Sequence, residues 1–196
     1  MVPPSPTKPA LVLASTSPRR LDLMREAGLD FIVVPAGIEE VHDEAAPVAE
    51  LTRLNAALKA NWVAERHPDA WVIGADTLVS IGGVALGKPA DLDEARSMLR
   101  RLAGRTHEVG TAVCLIHATN GQRREFLERT FVTFKPLGDE EISHYLTLIN
   151  PLDKAGGYAA QEHGEVIIER VEGDYNNVVG LPMARLLEEL RAAGAV

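Results

Sequence analysis

Apolar positions along this chain come in short runs divided by stretches of helical period. A run over residues 10–14 reads as a strand, and Leu21, Leu23, Met24 and Ala27 follow at helical spacing before Gly28. Residues 31–34 form a second β-rich run. Over residues 47–65 a helix is predicted, with Val48, Leu51, Leu54, Ala57, Leu58 and Trp62 on one side. Residues 71–75 read as a buried strand ending at Asp76. The runs 78–81 and 84–86 flank Gly82-Gly83, a strong signal for a two-residue hairpin. Residues 91–102 read as a helix, acidic at its start, with Arg100 and Arg101 late and Gly104 as its stop. Residues 109–117 and 126–134 are predicted to be long paired strands turning near Asn120-Gly121. A helix over 139–148, a strand over 166–171 and a helix over 182–193 complete the pattern. Strands and helices alternate, but hairpins intrude, so the expected fold is α/β around a mixed sheet.

Length and charge narrow the picture. The 196 residues suffice for one domain with a real core. Residues 1–9 carry four prolines and read as a flexible arm, which leaves 10–196 as a single domain. Apolar content of 46% is that of a soluble protein. The net charge of −8 argues against broad nucleic-acid or anionic-membrane binding, while leaving room for a small anion held by a few local cations. Cys114 lies in an apolar run and reads as a buried small hydrophobe rather than a catalytic thiol. No run is long enough to span a bilayer, and the first residues do not make a signal peptide, so the expected location is the cytoplasm.

The candidate chemistry begins at Ser15-Thr16-Ser17-Pro18-Arg19-Arg20. Ser17 is suited to cap the helix and Pro18 to open it. Such a strand–turn–helix corner presents free N–H groups to an anion. Two arginines in the first turn oppose the helix dipole unless an anion sits between them. An ordinary capped helix with solvated arginines would show the same residues. Asp76, at the end of an apolar strand, is placed to hold a divalent metal or take a proton from water; the bland alternative is a turn cap. Lys88, between Gly87 and Pro89, offers a compact charge for phosphate. Glu39-Glu40 could supply a metal ligand or be a solvated loop. Two polar, glycine-rich segments cover residues 153–161 and 173–182. In the first, Gln161 can both donate to and accept from a base edge; the second reads as loop architecture. The six histidines show no metal spacing, and His107 and His163 read as structural or exposed.

Taken in order, Leu13 to Arg20, Ile38-Glu39-Glu40, Gly74-Ala75-Asp76-Thr77, Leu86-Gly87-Lys88-Pro89, Asp153-Lys154-Ala155-Gly156 and Asn177 to Pro182 form a specific set. With it, the chain resembles the Maf family of nucleoside triphosphate pyrophosphatases from about Ala10 to its end. The Ala-Asp-Thr form, with Gln161, is similar to the branch acting on dTTP and UTP. The resemblance implies a three-layer α/β/α arrangement around an elongated mixed sheet with a central cleft, as in Maf and inosine triphosphatase folds, and a homodimer. It implies that Asp76 accepts the proton and that Ser15, Arg19, Arg20, Lys59, Thr77, Lys88 and Gln161 contact substrate. Glu40 and Asp76 are the implied holders of Mg²⁺ or Mn²⁺. The rivals are a 7-methyl-GTP pyrophosphatase, against which Thr77 counts, and a non-catalytic nucleotide-binding regulator of cell division, against which Asp76 counts. Two departures stand beside the site: Gln161-Glu162-His163-Gly164 replaces Gln-Gly-x-Gly, and Leu58 replaces a common Glu before Lys59.

Overall fold

The computed structural model describes residues 10–43 and 45–196, so the expected arm over 1–9 lies outside the described residues. Strand β1 (Leu11–Leu13) leads into helix α1 (Pro18–Glu26), and β2 (Phe31–Val33) returns parallel to β1. Helix α2 (Val48–Ala64) precedes the long strand β3 (Trp71–Ile81), which turns through Gly82 and Gly83 into β4 (Val84–Leu86). Both turn glycines have positive φ, 60° and 80°, as a hairpin of this length requires. Helix α3 (Leu92–Leu102) is capped by Asp91, whose side chain accepts from the Glu94 N–H. Strands β5 (Thr106–His117) and β6 (Gln122–Phe134), helix α4 (Asp139–Leu148), the short helix α5 (Gly164–Ile167), β7 (Ile168–Glu172), α6 (Tyr175–Val179) and α7 (Met183–Ala192) follow.

The strands make one mixed seven-stranded sheet in the order β2-β1-β3-β5-β6-β7, with β4 beside β3. Period-two alternation divides the core between the two faces. Leu11, Leu13, Trp71, Ile73, Val113 and Leu115 pack under α1 and α7. Val12, Val72, Ala112 and Cys114 point the other way, under α2. Further along the same long strands, Val79, Ile81, Val109 and Phe134 pack with residues of α3 and α4. The three-layer α/β class follows from these faces.

Three local readings change. The strand expected to stop at Asp76 continues to Ile81, so Asp76 is mid-strand and pairs with Ala112 of β5. Its other edge supplies the crevice instead. Strand β1 pairs with β3 only up to Ile73, and the pairing of β4 with β3 begins only at Val79. Between them β3 has no strand neighbour on that side among the described residues. The crevice therefore opens at the carboxyl end of β1, as open α/β sheets favour.

The buried face of α2 also differs from the predicted one. It carries Leu51, Thr52, Asn55, Ala56, Ala60 and Val63, while Leu54 is 45% exposed. Small residues win because the helix lies close on the sheet at Gly74. A Cβ there would stand 2.4 Å from the Ala56 carbonyl oxygen and 2.6 Å from the Ala60 nitrogen. Finally, the second glycine-rich segment is not only loop, because Tyr175–Val179 is helical, with Asp174 as its cap.

Candidate active site

The break in the edge of β3 is the floor of a cleft of about 920 Å³, which the β1–α1 turn, Glu40, Lys59, Lys88 and the 153–161 segment surround. At its base Asp76 is 5% exposed. Its Oδ1 accepts from Lys59 Nζ at 2.7 Å, and its Oδ2 is buried without a partner among the described residues. Buried carboxylate oxygens are normally satisfied, so an unpaired one on a residue that lines a cleft marks a place for a ligand. Asp76 shares the sheet face of Val72 and Gly74, and the close seating of α2 at Gly74 is what brings Lys59 down to it.

Lys59 is itself shared. Its Nζ lies 2.7 Å from Glu40 Oε1 as well as from Asp76 Oδ1. Burial alone would raise the Glu40 pKa. The Lys59 hydrogen bond and charge, helped by Lys88 and Arg20, outweigh that and hold it below the usual carboxylate range. Glu40 thus stays ionised, although half-buried. Lys88 is exposed at the cleft and has no ion-pair partner among the described residues.

The two arginines have different surroundings. Arg19 pairs with Asp153 at 3.0 Å across the mouth of the cleft, and with 22% of its side chain exposed it can swing to a ligand. Arg20 is buried and serves as a strut. Its Nε donates to the Gly180 carbonyl at 2.8 Å, Nη1 to the Ala75 carbonyl at 2.9 Å and more weakly to Ser15 Oγ, and Nη2 to Thr77 Oγ1 at 3.0 Å. Four N–H groups of five are committed, which leaves one for a phosphate. Burial lowers its pKa and Asp76 opposes that shift. The first-turn penalty expected from the helix dipole is met by protein carbonyls rather than by an anion. Ser17, expected to cap α1, sits at the cap position but makes no side-chain bond. Its own N–H donates instead to Ser15 Oγ at 3.2 Å. The Ser15 oxygen, expected to meet substrate, accepts from this turn and from Arg20, which leaves its hydroxyl hydrogen to donate into the cleft it lines.

Thr77 points to the opposite sheet face from Asp76. Thr111 Oγ1 donates to the Asn177 carbonyl at 3.1 Å, so the 2.9 Å contact between the two threonine hydroxyls takes its hydrogen from Thr77. Accepting from Arg20 as well, Thr77 keeps one lone pair free. Asn177 anchors this layer, its Nδ2 donating to the Val109 carbonyl and to Thr130 Oγ1. Thr111, Asn177 and the carbonyls of Ala75 and Gly180 were not singled out in the sequence. Their partners lie far away along the chain, and although Ala75, Asn177 and Gly180 stood within quoted motifs, Thr111 stood in none.

Gln161 lines the cleft from an exposed position, and its amide donates to Glu162 at 3.3 Å. The departure beside Gln161 therefore touches its side chain directly. Glu162 stands where a glycine was expected, and His163 after it has φ 56°. Lys154 is buried and donates to the Asn150 carbonyl and to Asp153, which completes a chain of contacts from Arg19. His107 is buried against Phe134 and bonded to Tyr158 Oη at 2.8 Å; burial lowers its pKa to about 4. Burial likewise pushes the Cys114 thiol up to about 12. Both sit in the core, as their sequence surroundings suggest.

Among the described residues no three His, Cys, Asp or Glu side chains converge as a metal cage. The donors that fit a hard cation are two, the unpaired Oδ2 of Asp76 and the carboxylate of Glu40 across Lys59. The remaining positions around such an ion would fall to a ligand or water.

Fold and site together define an α/β protein with a cation-lined cleft that ends on a buried carboxylate. The sequence profile described as "Maf-like protein" matches residues 10–193. The chain belongs to the Maf-like family. It is 47% identical to a protein of Akkermansia muciniphila named dTTP/UTP pyrophosphatase, over 95% of this chain and 97% of that one. A protein of the same name from Deinococcus radiodurans is also 47% identical, over 97% and 96% of the two chains. A third, from Myxococcus xanthus, is 48% identical over 94% and 92%.

Proposed function

We propose that this protein hydrolyses dTTP and UTP to the nucleoside monophosphate and pyrophosphate. The observation that carries the reading is the buried Asp76 carboxylate, with one oxygen unpaired, facing a cleft that holds Lys59, Lys88 and Arg19. The names of relatives that match along almost the whole chain support the same activity and base class.

The reaction is attack of water at the α-phosphorus, with the Pα–O–Pβ bond breaking and pyrophosphate leaving. Asp76 accepts the water proton through Oδ2, the oxygen that Lys59 leaves unpaired in the free protein. Lys88 meets the β- and γ-phosphates, and Arg19 turns from Asp153 to join it. Their charges stabilise the negative charge that builds on the departing pyrophosphate. Arg20 keeps Thr77 and the Ala75 carbonyl in place and lends its last N–H. When bound, Mg²⁺ or Mn²⁺ would acidify the water and neutralise phosphate charge, held by Glu40 and Asp76. That help matters because a carboxylate alone is a weak base toward water. Gln161 and the free lone pair of Thr77 read the pyrimidine edge.

The same reading has the enzyme acting as a homodimer in the cytoplasm, on free nucleotides rather than on nucleic acid or a membrane surface. No helix among the described residues is long and apolar enough to cross a membrane. A panel of nucleoside triphosphates, with pyrophosphate release followed with and without Mg²⁺ or Mn²⁺, tests the reading. The expected order is dTTP and UTP well ahead of CTP and 7-methyl-GTP. Release from 7-methyl-GTP alone would overturn it.

A further inference from the structure

We infer that Lys59 is a resident counter-ion that holds the metal position closed until the triphosphate arrives. The inference rests on the pyrophosphatase reading for the identity of the substrate, but its observations are geometric. The Lys59 ammonium stands 2.7 Å from an oxygen of Glu40 and 2.7 Å from an oxygen of Asp76. These two carboxylates are the ones suited to grip a divalent cation, and among the described residues no third acidic or imidazole side chain converges with them. Two carboxylates around one ammonium leave a net charge of −1. A divalent ion added to that arrangement would sit against a cation in a partly desolvated place, where repulsion is strong. Metal binding therefore requires Lys59 to leave.

The side chain has somewhere to go only when phosphate is present. Its stem is held along α2, its side chain is 12% exposed, and among the described residues the one other acceptor within reach is the Ala75 carbonyl at 3.5 Å. A triphosphate in the cleft supplies strong acceptors for its three N–H donors. Once Lys59 turns to the phosphates, Glu40 and Asp76 are both released to a metal that arrives with the nucleotide. Lys59 thereby makes metal and nucleotide binding cooperative. It also keeps Asp76 from meeting a metal-bound water when no substrate is there.

Binding of Mn²⁺, counted by electron paramagnetic resonance on the full chain, tests this without turnover. Wild-type protein should bind Mn²⁺ weakly alone. Lys59→Met, and Lys59→Gln as the second variant should the first fail to fold, should bind Mn²⁺ alone at least about tenfold more tightly, because the competing charge is gone. In wild type, α,β-imido-dUTP should add an enzyme-bound Mn²⁺ signal beyond that of the binary metal–nucleotide complex. Neither variant should need the nucleotide for its signal. Equal Mn²⁺ affinity of wild type and variants without nucleotide would overturn the inference, as would a wild-type signal indifferent to the analogue. A protein that shows the Mn²⁺ pattern but releases no pyrophosphate would refute the pyrophosphatase reading and leave the Lys59 geometry standing.

Discussion

At the scale of single residues, the site contrasts groups of one type that do different work. Asp76→Asn keeps the shape and leaves Lys59 paired with Glu40, so the fold should survive. Turnover of UTP should fall by about 10²–10⁴, the usual cost of losing a positioned base. A variant retaining more than about half the wild-type rate would show that another group accepts the proton. Arg19→Ala removes a partly exposed ion pair, which is worth about 0–1 kcal/mol of stability. It should raise KM for the triphosphate while leaving the melting temperature nearly unchanged. Arg20→Met should do the reverse first. It strands the Gly180 and Ala75 carbonyls and should cost about 3 kcal/mol or more in urea unfolding. If both variants melt like wild type, the strut role of Arg20 is wrong. The sequence could flag two arginines at a helix start but could not separate them. What separates them is contact with Asp153 in one case and with Gly180 in the other, each over 130 residues away.

At the scale of elements, the site depends on how closely α2 sits on β3. Gly74→Ala places a methyl group against backbone atoms of Ala56 and Ala60, which cannot move independently of the helix. Overpacking of this kind costs about 1–3 kcal/mol. Here it should also shift Lys59 relative to the cleft in which it meets the phosphates, and lower kcat. Lower stability with unchanged kcat would mean that the seating of α2 does not set the site. Element types were largely legible in the sequence, because the hairpin at Gly82-Gly83, the cap at Asp91 and the long β5–β6 pair are local signals. The errors have physical causes. The pair Asp76-Thr77 interrupts an apolar run and mimics a strand end, although β5 pairs across it without a break. On α2 the larger apolar residues suggested one face, whereas close approach to Gly74 selects alanines. The crevice itself lies where β1 stops and β4 has not begun, a property of pairing that no single segment carries.

At the scale of the whole molecule, stability should fall in mild acid through the core rather than the cleft. His107 has its ordinary pKa of 6.5 in the unfolded chain and about 4 when buried. Between those values the unfolded state binds more protons, so stability rises with pH through this window and is lost on acidification. The lowered carboxylates Glu40, Asp139 and Asp153 start from values of 4.5 or below and act at more acidic pH. From pH 7.5 to 5, the loss due to His107 should be about 2 kcal/mol by urea unfolding. His107→Gln should flatten that slope, and an unchanged slope would remove His107 as its cause. The ordered motifs made the family and the cationic cleft legible, while the division of cations between strut, counter-ion and substrate ligand required the folded chain. The most direct test of the central claim follows the oxygen that water contributes. With UTP turned over in oxygen-18-enriched water, the label should appear in UMP and be absent from the pyrophosphate released, because attack is at the α-phosphorus. Label in pyrophosphate or in free phosphate, or no turnover of UTP and dTTP at all, would contradict the account.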